Sequence, residues 1–264
     1  MPVSSRIRPY DHVLLDLDGC LWVGDEPCEG AADAVTALRE ARTSVLFLTN
    51  DVRHAPEDIV RKLWRLGFQA SLAEIITVGA ALQFLLAGGQ RGSAYVVGSQ
   101  ALIDHVAAAG LRILNRTPFA TRADVVVVGA HEQFGYDELR VATQAVLRGA
   151  ELIGATRDRR FPMPDGPWPG SGAVLAAIEH ASGRRADLIV GKPEPAMYDT
   201  ARDRLGPGRI LAVGARLETD VAGARRAGLD SALVLTGGTS RDEAGAADPQ
   251  PTYVADSLAA LVLA

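Results

Sequence analysis

Short apolar runs alternate with stretches whose apolar positions recur every three or four residues for nearly the whole length of the chain. That alternation predicts strands and helices in turn, and hence an α/β protein built on a parallel sheet. The first run, 12–15, is apolar throughout after its histidine, as a strand covered on both faces should be. The pattern then predicts a helix over 31–42, a strand over 44–48, a helix from Pro56 to 66 closed by Gly67, and a strand over 75–78. A second set follows, with helices over 80–87, 101–109, 136–147 and 173–182 and strands over 95–97, 125–128 and 152–155. A Pro- and Gly-rich loop covers 156–172. The last block reads strand 188–190, helix 196–205, strand 210–213, helix 222–227 and strand 232–235, with 237–248 as a surface loop.

Composition narrows the class. The 264 residues are 48% hydrophobic and 22% charged, ordinary for a globular protein with a sizeable core. Lys+Arg 27 against Asp+Glu 32 gives a net charge of −5, which argues against nucleic acid as a partner. No apolar run approaches the ~18 residues of a membrane span, and residues 1–10 carry no signal-peptide pattern. Cys20 and Cys28 make neither a disulfide framework nor a metal-type spacing, so the chain reads as cytoplasmic.

Candidate chemistry begins at Leu14-Leu15-Asp16-Leu17-Asp18-Gly19, where two carboxylates leave a buried strand and enter a glycine turn. Ligands of open α/β sheets bind at the carboxyl ends of strands. Aspartates two apart on an extended chain point the same way, so one can attack phosphorus while the other protonates a leaving oxygen. A strand-ending Asx turn with solvated aspartates gives the same pattern. A second strand ends in Thr49-Asn50, two donors suited to phosphoryl oxygens and equally to turns and caps. Val190-Gly191-Lys192-Pro193 offers a lysine that neutralises carboxylate and phosphate together, or a plain surface lysine. Strand 211–213 runs into Gly214-Ala215 and, five residues beyond Ala215, Asp220.

Taken together, these fragments, in this order, resemble the haloacid dehalogenase-like (HAD) superfamily, and within it the NagD-like and p-nitrophenyl-phosphatase-like branch. The resemblance spans nearly the whole chain, including Pro169-Gly170-Ser171-Gly172 before a helix. It implies a Rossmann-like core domain (1–79 and 188–264) and an inserted α/β cap of the C2 type (80–187). It implies a phosphatase of small phosphorylated metabolites, of the glycerol phosphate, phosphoglycolate or sugar phosphate class, working through an aspartyl-phosphate. Asp16 would be the nucleophile and Asp18 the general acid and base. Thr49 and Asn50 would hold the phosphoryl group, and Lys192 would offset its charge. Mg²⁺ would join Asp16, the main chain of residue 18 and the acidic fourth motif, where Asp220 holds a water ligand or contacts Lys192. The partner is a small phosphomonoester, not nucleic acid or membrane, and the resemblance admits a homodimer.

This sequence departs from the family pattern twice. Where the family reads Gly-Asp, it has Gly214-Ala215, and a methyl cannot ligate metal. That substitution implies weak Mg²⁺ binding and slow turnover, with a phosphate-binding pseudoenzyme as the alternative; Glu218 is a poorly placed substitute ligand. Asp51 stands where an asparagine is usual, and turning away to cap the helix begun by Pro56 would spare the phosphate its charge. The loop from Thr156-Arg157-Asp158-Arg159-Arg160-Phe161 to Asp165-Gly166-Pro167-Trp168 is expected to wall the pocket, its arginines either meeting an anionic substrate tail or simply solvated. Gly170-Ser171-Gly172 could donate to a ligand from its backbone. Trp64 reads as core, Trp22 as packing, and the scattered histidines as structural or surface residues.

Overall fold

The computed structural model describes residues 2–89, 91–161 and 166–264. The chain forms two compact units. One comprises the residues up to Thr49, Pro56–Ile76 and Lys192–Ala264; the other comprises Asn50–Ala55 and Thr77–Gly191.

The first unit is built on a six-stranded sheet in the spatial order Tyr253–Ala255, Asp230–Val234, Ile210–Gly214, His12–Asp16, Ser44–Thr49, Ile75–Thr77. The first strand lies between Ile210–Gly214 and Ser44–Thr49, parallel to both, with Leu15 opposite Val213 and Asp16 opposite Leu48. From that strand the chain moves outward on one side, then returns to build the other. Such a reversal is a topological switch point, where two connections diverge and leave a crevice at the strand ends. The apolar runs are buried because both faces are covered. Helix Ala31–Glu40 buries Ala31, Ala34, Val35 and Leu38, the spacing of one helical face.

The second unit has a five-stranded parallel sheet in the order Leu188–Ile189, Glu151–Gly154, Val125–Val128, Ser93–Val97, Arg112–Ile113. Val125–Val128, at its centre, is wholly buried. Helices Tyr136–Leu147 and Ser171–Ser182 pack against this sheet in one hydrophobic cluster.

Several sequence expectations need correction. The stretch 237–248 is not all loop: Ser240 and Glu243 form a capping box that starts helix Arg241–Ala246, whose Ala244 is buried beside Val221 and Leu233. The 156–172 loop contains a two-stranded ribbon, Arg160–Phe161 against Trp168–Pro169. Trp64 is 61% exposed rather than core. Its helix buries Ile59, Val60 and Leu63, and the indole turns aside to donate to the Ala70 carbonyl at 2.7 Å. Among the described residues no helix is long and apolar enough to cross a membrane.

Candidate active site

The centre of the first unit's site is a buried cation shared by two carboxylates. The Lys192 ammonium donates to Asp16 Oδ1 at 2.6 Å and to Asp220 Oδ1 at 2.7 Å, with the Leu48 carbonyl at 3.5 Å. Lys192 and Asp220 are about 95% buried and Asp16 nearly so. These three residues come from separate stretches that meet only because the sheet sets His12–Asp16 between Ser44–Thr49 and Ile210–Gly214.

Asp220 reaches the lysine because the chain after Gly214 folds back on itself. Leu217–Val221 forms a π-helical turn, and Asp220 Oδ2 accepts from the backbone N–H groups of Ala215 (3.1 Å) and Arg216 (3.0 Å). A Cβ at position 214 would collide with the Asp220 side chain, which is why glycine stands there. Tyr198 adds a hydrogen bond from its hydroxyl to the Asp220 carbonyl at 3.2 Å. The contact with Lys192 expected of Asp220 is present.

Electrostatics set the protonation of this cluster. Burial, reinforced by the Asp220 charge, pushes the Asp16 carboxyl up, while Lys192 pulls it back. Burial works to lower the Lys192 ammonium, but Asp16 and Asp220 outweigh it and hold the lysine protonated far above its ordinary range. A cation fixed between two anions favours the ionised, nucleophilic form of Asp16.

Asp18 sits in the turn that follows. Its Oδ1 accepts the indole N–H of Trp22 at 2.8 Å, and Gly19 N donates to the Trp22 carbonyl at 2.7 Å. Gly19 has φ of +82°, and a Cβ there would lie 2.8 Å from the Gly237 Cα and 3.0 Å from the Ala215 methyl. The buried methyl of Ala215 therefore packs against two glycines, while Thr236 and Thr239 donate to the carbonyls of Gly19 and Ala215. Trp22, expected only to pack, thus meets Asp18 directly, and Tyr198, Thr236 and Thr239 join the site without any motif of their own. The one available signal was an indole four residues beyond an acid.

Thr49 is buried at the end of its strand. Asn50 donates to Asp158 Oδ2 at 3.0 Å within the second unit. Asp51 closes the turn before Pro56, with Oδ1 accepting from Arg53 N (2.6 Å) and His54 N (3.2 Å) and Oδ2 meeting His54 Nδ1 (2.8 Å). Burial works to raise its carboxyl, but the His54 hydrogen bond and charge, with Arg53, hold it at about 2.

In the loop expected to wall the pocket, Arg157 pairs with the buried Glu179 at 2.9 Å, a carboxylate it shares with Arg185 at 3.2 Å, and Arg53 stacks on the Phe161 ring at 4.2 Å. The N–H groups of Gly170 and Gly172 are spent on the carbonyls of Arg159 and Asp158, both at 2.9 Å, and do not face a ligand. Asp165 lies outside the described residues. Burial pushes the Cys20 thiol well up, consistent with an unreactive core sulfur.

Among the described residues, no three His, Cys, Asp and Glu side chains form a metal-ligating group. Glu218, named as a substitute for the carboxylate absent at Ala215, is exposed.

Fold and site define the class: an α/β protein with an acid–lysine–acid cluster at the switch point of a parallel sheet. A haloacid dehalogenase-like hydrolase model matches residues 13–112, and a HAD-hydrolase-like model matches residues 189–261. The chain is 37% identical over 263 residues to D-glycerol 3-phosphate phosphatase of Mycobacterium tuberculosis, spanning 98% of this chain and 73% of that protein. It is 30% identical to the acid sugar phosphatase of Staphylococcus haemolyticus, spanning 94% and 93%. The crystal structure of the M. tuberculosis glycerol phosphate phosphatase in complex with magnesium superposes with a TM-score of 0.91 at 36% identity, covering 98% of this chain and 78% of that one. The chain belongs to the haloacid dehalogenase-like hydrolases, in their NagD-like branch.

Proposed function

We infer that the chain is a Mg²⁺-dependent phosphatase of small phosphomonoesters, acting through an aspartyl-phosphate. The observation that carries this reading is Lys192 held between Asp16 and Asp220 at the sheet's strand ends. Phosphoryl transfer asks mainly for positioning and charge neutralisation, which this cluster supplies.

An Asp16 carboxylate oxygen attacks phosphorus, forming one P–O bond as the ester P–O bond breaks. Asp18 gives its proton to the departing oxygen. Water then attacks the phosphorus of the aspartyl-phosphate, Asp18 takes its proton, and Asp16 is released. Thr49, at the end of its strand, is assigned to the phosphoryl oxygens, and Lys192 favours the ionised Asp16 before attack and again on its release.

The residues present fit a weakly held Mg²⁺. The Asp16 carboxylate and the Asp18 main-chain carbonyl would hold it, with waters and substrate phosphate completing a coordination that Mg²⁺ accepts. Asp220 is engaged by Lys192 and two backbone N–H groups. When bound, the ion offsets the charge gathering on the transferring phosphoryl group. The Ala215 methyl takes the place of a second carboxylate, so slow turnover follows. The pseudoenzyme alternative gains no support, since the relatives described above are phosphatases by name.

Glycerol 3-phosphate is the first substrate to test, followed by sugar phosphates and phosphoglycolate, with released inorganic phosphate measured under Mg²⁺. The reading requires turnover of at least one ester that stops with EDTA and in Asp16→Asn. Release from none of them, at any Mg²⁺ concentration, would end it.

A further inference from the structure

We propose that Trp22 is a positioning residue for the general acid, fixing which oxygen of Asp18 carries the proton. The proposal rests on the phosphatase reading above and adds a residue and an atom to it.

The indole Nε1–H donates to Asp18 Oδ1 at 2.8 Å. An indole nitrogen is a donor only, and the carbonyl oxygen of a carboxylic acid accepts more strongly than its hydroxyl oxygen, so the contact favours Oδ1 as the carbonyl. The transferable proton is thereby favoured on Oδ2. A carboxylic acid free to rotate would present its proton in several directions, and acid catalysis needs it aimed at one leaving oxygen. During transfer the Oδ2–H bond breaks, a new O–H bond forms on the leaving oxygen, and the electrons of the broken P–O bond become that oxygen's lone pair. Asp18 is left ionised with its Oδ1 contact unchanged, so the same carboxylate is oriented to take a proton from water in the second step.

Trp22 is itself held on every side. It is 3% exposed and lies in the two-stranded ribbon Trp22–Val23 with Glu26–Pro27. Its carbonyl accepts from Gly19, inside the turn that carries Asp18. The Lys62 ammonium lies 4.7 Å from its ring centroid and donates to the Gly24 carbonyl at 2.9 Å, with Asp25 at 3.6 Å. The ribbon is thus tied to helix Pro56–Arg65, and the cation over the ring keeps the indole in its plane. A buried indole N–H needs an acceptor, and the acceptor it meets here is the Asp18 carboxylate.

The test separates acid catalysis from stability by the leaving group. Trp22→Phe keeps the ring and removes the N–H. Benzothienylalanine at the same position keeps the full bicyclic shape and replaces N–H by sulfur. For each, kcat/KM is measured on an alkyl ester, glycerol 3-phosphate, and on p-nitrophenyl phosphate, whose leaving group departs without a proton. The expected result is a loss of about 10- to 100-fold on the alkyl ester and less than about 3-fold on the aryl ester. Equal losses on both, or no loss on the alkyl ester, would overturn the proposal. A second readout does not depend on turnover. Of the three tryptophan indole N–H resonances, the one absent in Trp22→Phe should move and lose its exchange protection in Asp18→Ala. An indifferent resonance overturns the proposal even in an active enzyme. An inactive parent with a responsive resonance instead rejects the phosphatase reading while the Trp22–Asp18 contact stands.

Discussion

Replacing Lys192 by methionine removes one buried cation and leaves the packing volume nearly unchanged. At 2.6 Å and an effective dielectric near 20, each carboxylate attracts the ammonium by about 6 kcal/mol, most of it offset by the desolvation of three buried charges. The larger consequence is what stays behind, two buried carboxylates without their shared cation. Breaking a buried pair in this way costs about 3–5 kcal/mol. For a chain of this size that is a fall in melting temperature of about 6–20 °C. The two anions are not equally exposed to the loss. Asp220 keeps the N–H groups of Ala215 and Arg216, whereas Asp16 loses the donor at 2.6 Å. Adding Asp16→Asn to Lys192→Met should therefore restore at least about 1 kcal/mol, and more than adding Asp220→Asn does. Thermal unfolding followed by circular dichroism at pH 8, in EDTA, measures all four chains. A loss under about 1 kcal/mol for Lys192→Met, or an equal rescue from both asparagines, would refute the reasoning.

Asp18→Asn should lower kcat for an alkyl phosphomonoester by about 10²- to 10⁴-fold with little change in KM, as steady-state kinetics would show. Ala215→Asp restores a carboxylate beside Asp16 and should tighten Mg²⁺ by about 10- to 100-fold in calorimetric titration; unchanged affinity would count against the metal assignment. Asp51→Asn tests the turn before Pro56. A carboxyl held at about 2 contributes stability above its unfolded value near 4 and loses it as pH falls toward 2. The variant should be on the order of 1–2 kcal/mol less stable at pH 6, and the gap should close by pH 2 in parallel urea melts.

Much of this was legible in the sequence because long apolar runs and repeated helical spacing come directly from burial. Ile210–Gly214 and Val125–Val128 could hardly be anything but covered strands. Short edge pieces were not legible. Arg112–Ile113 and the ribbon of Trp22–Val23 with Glu26–Pro27 owe their form to neighbouring strands, not to any pattern of their own. Helix Arg241–Ala246 was hidden by a composition of Gly, Ala and Asp, although Ser240 and Glu243 at capping-box spacing announced it. Within the site, Asp16 and Lys192 stood out as residue types at strand ends. The π-helical turn that folds Asp220 back onto Ala215 and Arg216 did not, because it depends on how Gly214 lets a side chain approach the backbone. The spent N–H groups of Gly170 and Gly172 were unreadable for a related reason. Their partners, the carbonyls of Arg159 and Asp158, become neighbours only through the ribbon that precedes the helix.

The central claim is that Asp16 becomes covalently phosphorylated during turnover. Mixing the enzyme with Mg²⁺ and substrate, quenching in acid within the first turnover and mapping the peptides by mass spectrometry tests it directly. The account predicts one phosphoryl group on the peptide carrying Asp16, removed by hydroxylamine and absent in Asp16→Asn. Steady release of inorganic phosphate with no phosphoryl group on that peptide at any quench time would contradict it.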